Sequence, residues 1–160
     1  MIKGEELRNF MPEIRFENEE SLNLGVIQNT IRLAADSLGV PIAFRDEQVK
    51  SGGFFDLVLE DCVVMYHPAH ENDYFKFCIR VKRQGNFTFV IINDFGRSKQ
   101  VDKAYAAEDA QKIREGKDLP FQIGSRIAET LFTLGRNKRK LEDELRYYDF
   151  LTEIIHQVFL

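Results

Sequence analysis

Tryptophan is absent from this 160-residue sequence, cysteine occurs only twice and proline only four times. Two cysteines cannot build a disulfide scaffold, so apolar packing has to supply the core. Such sparse use fits reduced thiols and leads to the expectation of a cytoplasmic protein. No internal repeat or low-complexity tract interrupts the chain, and no apolar run reaches the length of a membrane-spanning helix. The first ten residues, MIKGEELRNF, lack the hydrophobic segment of a secretory leader, and no membrane partner is expected.

Positive charge is also in short supply: 22 Lys and Arg stand against 26 Asp and Glu, for a formal net charge of -4. Binding to nucleic acid without sequence preference needs many cationic contacts to phosphate, so that partner is disfavoured. The segments FGRSK (95–99) and IGSR (123–126) contain glycine, but neither has the spacing of a phosphate-binding loop. With no catalytic constellation and no cofactor motif, the expectation is a non-enzyme that carries no cofactor.

Phenylalanine is abundant, with 14 residues, and 44% of the chain is hydrophobic. Phenylalanine buries a large area without requiring a hydrogen-bond partner, so one well-packed domain over residues 1–160 is within reach. Residues 1–20 carry Lys3, Arg8 and Arg15 against six glutamates and read as a mobile acidic arm, although Leu7, Phe10, Ile14 and Phe16 could still pack as a short arm. A helix is expected over 21–38, with Ser21 as its cap and Leu24, Ile27, Ile31, Ala34 or Ala35, and Leu38 along one stripe. Gly39 and Pro41 end it.

Residues 40–95 read as an antiparallel meander of about four strands. VPIAF (40–44) is a short strand, and FFDLVLE with DCVVMYH (54–67) is a long or bent one. YFKFCIRVKR (74–83) alternates cleanly, and FTFVIINDF (87–95) returns after Gln84-Gly85-Asn86. Apolar side chains at both parities near Val90–Ile92 put that last strand in the middle of the sheet or under cover on both faces. Helices follow over 104–116, from Pro120 to Leu134, and from Asn137 through Phe159. The fold class is therefore α+β: an N-terminal helix, the meander, and two or three C-terminal helices packed on one face of the sheet.

Three features invite a functional reading. In MYHPAHENDYFKF (65–77), His67, His70 and Asp73 lie between Cys62 and Cys78. A symmetric loop pairs Tyr66 with Tyr74 and Cys62 with Cys78, which leaves the thiols roughly 13 Å down the strands at 3.3 Å per residue. One metal ion cannot reach all four ligands. A weak site of His67, His70 and Asp73 is the only metal alternative, and these three are expected not to converge.

The second feature is cationic. Lys76, Arg80 and Lys82 share a parity with Tyr74, and Arg83, Arg97 and Lys99 follow. Together they suggest a solvated sheet face or a basic, aromatic face for an acidic protein partner, ahead of nucleic acid. The third is the apolar C-terminus FLTEIIHQVFL, which suits packing on the sheet or self-association through the last helix. The expected function is an interaction or adaptor module, homodimeric through that helix. The alternative is a ligand-binding protein or enzyme with a pocket between sheet and C-terminal helices, lined by Phe75, Phe77 and Phe89.

Overall fold

Strands, not a helix, come first in this chain. In the computed structural model, which describes residues 1–115 and 138–160, the order is β1 (Ile2–Lys3), a 3-10 turn (Gly4–Glu6), β2 (Arg8–Asn9) and β3 (Ile14–Glu17). Then come α1 (Leu24–Leu38), β4 (Ala43–Ser51), β5 (Val58–Tyr66), β6 (Lys76–Gln84) and β7 (Phe87–Phe95). Two helices, α2 (Lys99–Glu115) and α3 (Lys138–Phe159), complete the described elements. The α+β class stands. The four-strand meander does not, because the sheet has seven strands in the order β1-β4-β5-β6-β7-β2, with β3 also on β7. The chain divides into two compact units, Met1–Gly96 with Phe159, and Arg97–Val158 with Leu160.

The stretch read as an acidic arm supplies the extra strands and closes the sheet at both ends. β1 runs parallel to β4, with Ile2 beside Val49, while β2 runs antiparallel to β7, with Arg8 beside Asp94. Only Gly4–Leu7 joins these opposite edges. Laid flat, five inter-strand steps would span roughly 24 Å at about 4.8 Å each. The five residues from Lys3 to Arg8 reach at most about 18 Å. The sheet must therefore curl, and the Gly4–Leu7 strap crosses its inner side. Leu7 packs there with Tyr66 and Phe95 on a buried cluster of Ile2, Val49, Cys62, Val64 and Cys78.

β2 and β3 are one edge interrupted. Arg8 pairs with Asp94 and Ile14 with Val90, so the register slips by two residues across Met11-Pro12, where proline has no N–H to donate. β7 is thus flanked by β6 on one side and by β2 and β3 on the other. Val90, Ile91 and Ile92 are all buried, as their double parity requires.

The outer face carries Phe44, Val63, Met65, Phe77 and Ile79, and α1 lies against β5 and β6 on that side, with Arg32 over the Phe44 ring. Ile27, Ile31 and Ala35 are the buried stripe of the helix. Its cap is Asn23 rather than Ser21: the Asn23 side chain accepts from the Val26 N–H at 3.0 Å. Ser21 is consumed earlier, in a turn where the Leu22 N–H donates to the Glu19 carbonyl. Gly39 closes the other end with φ of 69°.

In the second unit, Ser98 caps α2 by accepting from the Val101 N–H at 3.2 Å, which starts that helix before the expected Ala104. Along α3, Leu141, Leu145, Tyr148, Leu151 and Ile155 are buried at helical spacing, as the periodicity requires. The helix expected over Pro120–Leu134 lies outside the described residues.

Candidate functional site

The loop between β5 and β6 corrects two expectations. It is asymmetric: β5 ends at Tyr66 but β6 begins at Lys76, so Tyr74 is not in the strand and the ladder shifts by two residues. Val64, not Cys62, stands opposite Cys78. Cys62 is therefore a diagonal neighbour, and both thiols are free and buried on the inner face. The Cys78 thiol donates to the Cys62 sulfur. That contact holds Cys62 below the ordinary thiol range and, with burial, pushes Cys78 far above it.

His67, His70 and Asp73 do converge. The His70 N–H donates to the His67 carbonyl at 3.0 Å and the Tyr74 N–H to the His70 carbonyl at 3.1 Å. A β-turn followed by an i to i+4 turn thus brings the His67, His70 and Tyr74 rings together. His70 Nδ1 sits 3.1 Å from Asp73 Oδ2, and the His67 and His70 ring centroids are 4.7 Å apart. The His70 ring lies flat on Tyr74 at 4.0 Å. Among the described residues, no group of three or more His, Cys, Asp or Glu could hold a metal ion.

Burial lowers the His67 pKa from its ordinary 6.5, and His70 adds to the shift while Asp73 opposes it. The folded chain therefore favours the neutral ring more than the unfolded chain does. The stability this contributes is present above pH 6.5 and declines as pH falls through the lowered folded value. His67→Gln is expected to flatten the acid-side loss of stability in urea titrations below pH 6.5. Slopes that match the unsubstituted chain would remove this assignment.

The cations expected to form one face are distributed and largely engaged. Arg80, Lys82 and Lys76 do share the inner face. Glu60 takes both Arg80, at 3.1 Å, and Lys82, at 3.3 Å, while the Arg80 guanidinium also donates to Asn93 at 2.7 Å. Lys76 lies over the Phe95 ring, with its pKa lowered first by burial and then by Arg45. Arg83 points to the other face and donates to the Glu20 and Leu22 carbonyls. Tyr74 is only 7% exposed. Arg97 and Lys99 belong to the second unit, where Arg97 stacks over Tyr105 at 4.2 Å. The three pocket phenylalanines are not one lining either: Phe75 and Phe77 are buried ring against ring, while half-buried Phe89 pairs with Lys82 on the opposite face.

The most exposed apolar group lies elsewhere. β4 and β5 pair without interruption from Ala43–Tyr66 to Ser51–Val58, leaving residues 52–57 as the hairpin tip. β5 and β6 pair only from Val63–Ile79 to Met65–Phe77. The outer half of β5 thus bonds to β4 alone, and the β4–β5 hairpin, edged by β1 at Val49 and Lys50, leaves the sheet. An open depression of about 670 Å³ marks the departure, lined by Leu22–Gly25, Glu60, Asp61 and Val81–Arg83.

Phe54 is 94% exposed and Phe55 92%, with their rings edge to face at 5.3 Å, and Leu57, Val58 and Leu59 follow at 52%, 48% and 47%. A single exposed apolar side chain is ordinary, but a contiguous run marks a contact surface. Periodicity hid this tip, because FFDLVLE reads as a strand. The available signal was Gly52-Gly53 ahead of two consecutive phenylalanines, which a strand would send to opposite faces.

No helix of the described residues is long and apolar enough to cross a membrane. No protein-family model matches the chain, and neither a curated protein nor a solved structure matches it.

Proposed function

We propose that this chain is a protein-interaction or adaptor module that docks through the tip of the β4–β5 arm. The near-complete exposure of Phe54 and Phe55 carries the reading. Exposed aromatic side chains at a protruding tip cost solubility and add nothing to the core, and burying them on a partner releases a large apolar area. The basic sheet face draws less support as a docking surface, since Glu60 engages both Arg80 and Lys82. The ligand-pocket alternative draws none from Phe75 and Phe77, which fill space instead of lining it.

Photocrosslinking tests the reading, with p-benzoylphenylalanine replacing Phe55 in the cells that make the protein. A discrete crosslinked species that disappears when Phe54 is also changed to Ser is the expected result. A diffuse smear, or no crosslink, would overturn it. Self-association through α3 belongs to the same proposal, and the exposed large apolar side chains are Phe150 on the helix, at 44%, and Leu160 just after it, at 76%. Light scattering after size exclusion should show a mass that rises with concentration and drops with Phe150→Ser. A monomer at every concentration would remove the homodimer.

A further inference from the structure

We infer that Cys62 and Cys78 form a binding site for one soft monovalent metal ion of the copper(I) class, held between their two sulfurs. The site is independent of the docking tip. β5 and β6 set the two thiols on the inner face as diagonal neighbours in hydrogen-bond contact, 1% and 0% exposed. Around them Ile2, Val49, Val64 and Leu7 bring no side-chain ligand.

Spacing separates an ion from a disulfide. Diagonal positions on neighbouring strands lie about 7–8 Å apart between Cα atoms. A disulfide needs about 4.4–6.8 Å and sulfurs about 2.05 Å apart, so closing one would pull the ladder out of place. A bridging ion suits the longer spacing, because two bonds of about 2.3 Å let the sulfurs stand up to about 4.6 Å apart. Coordination number then selects the ion. Zinc takes four ligands in a closed site, and among the described residues no group of three His, Cys, Asp or Glu is placed to hold one. Thiolates select soft ions, and copper(I) accepts two of them alone.

Charge points the same way. A singly charged ion with two thiolates leaves one negative charge, and Arg80 stands close enough to both thiols to lower their pKa. It lies on the same inner face, one step past the Val63–Ile79 pair and two residues from Cys78. Its terminal nitrogens donate to Glu60 and Asn93, but its Nε is buried and has no hydrogen-bond partner among the described residues. A thiolate supplies an acceptor for that N–H. Glu47, Glu60 and Asp61 oppose the thiolates, but Arg45 holds the first at 3.4 Å and Arg80 the second at 3.1 Å. The way in is an open depression of about 540 Å³ that Cys62 lines with Asp46, Glu47 and Asp61, three carboxylates that attract a cation.

The test titrates the full reduced chain, without oxygen, with copper(I), silver(I) and zinc(II) against a chromophoric chelator. Copper(I) and silver(I) should each bind one per chain, at least about 100-fold more tightly than zinc(II). Affinity should fall with pH, because each metal–sulfur bond displaces a thiol proton. Cys62→Ala and Cys78→Ala should each lose about 100-fold or more, and Arg80→Gln about 10- to 100-fold with the stoichiometry kept. X-ray absorption on the unsubstituted, copper-loaded chain should count two sulfur neighbours, a readout that needs no variant to fold. Three or more neighbours, binding retained in either cysteine variant, zinc(II) bound as tightly, or no copper(I) bound would each overturn the site. So would diamide closing a Cys62–Cys78 disulfide in the native chain, since the diagonal spacing forbids it.

Discussion

Phe77→Ala is expected to lower the unfolding free energy by about 3–5 kcal/mol, the cost of removing a fully buried aromatic ring and leaving its cavity. Phe77 is 0% exposed and sits on the outer face with Phe75 at 5.3 Å and the edge of Phe10 at 4.7 Å. Phe10 closes β2, on the stretch that follows the strap, and its N–H donates to the Ile92 carbonyl. The pair therefore ties the N-terminal stretch to the body of the sheet. A double-mutant cycle with Phe10→Ala should return a coupling of about 0.5–1.5 kcal/mol, the usual worth of an edge-to-face pair beyond its buried area. Urea unfolding of the four proteins measures it. Additive losses would mean that the two rings are merely adjacent.

Gly52→Ala is expected to cost about 1–3 kcal/mol from backbone conformation alone, because Gly52 holds φ at 87°. An added Cβ would also be driven into the Asp56 carbonyl across the turn. A main-chain atom cannot swing aside as a side chain can, so the tip has to rebuild. Gly53→Ala supplies the control: a Cβ there meets nothing within 4 Å. The first variant should lose stability, and the second should change it by less than about 1 kcal/mol. Equal behaviour of the two would refute the turn geometry.

Periodicity made some elements legible and concealed others for physical reasons. α1 and β6 were readable because each carries a buried apolar stripe, so Ile27, Ile31 and Ala35, or Phe77 and Ile79, recur at the period of their element. β4 was read only at its start because Arg45, Asp46, Glu47, Gln48 and Lys50 leave it no apolar stripe. Only Val49 of β4 is buried, so no alternation is selected along it. β1 and β2, at two residues each, are shorter than any period. The convergence of His67, His70 and Asp73 depends on two turns whose hydrogen bonds leave no mark in residue type. At the tip, hydrophobicity was visible in Phe54 and Phe55 but exposure was not. A buried strand and a docking loop draw on the same residues.

The strap also sets a kinetic order. β2 finds its partner when Arg8 meets Asp94, so the edge formed from the first residues of the chain must wait for the last strand of the sheet. Contacts between residues so far apart in sequence pay their loop-closure entropy late and slow the search for the native arrangement. Until β7 arrives, the β1 and β2 residues have half of their pairing unmet. During synthesis, this chain holds its beginning in reserve for its middle.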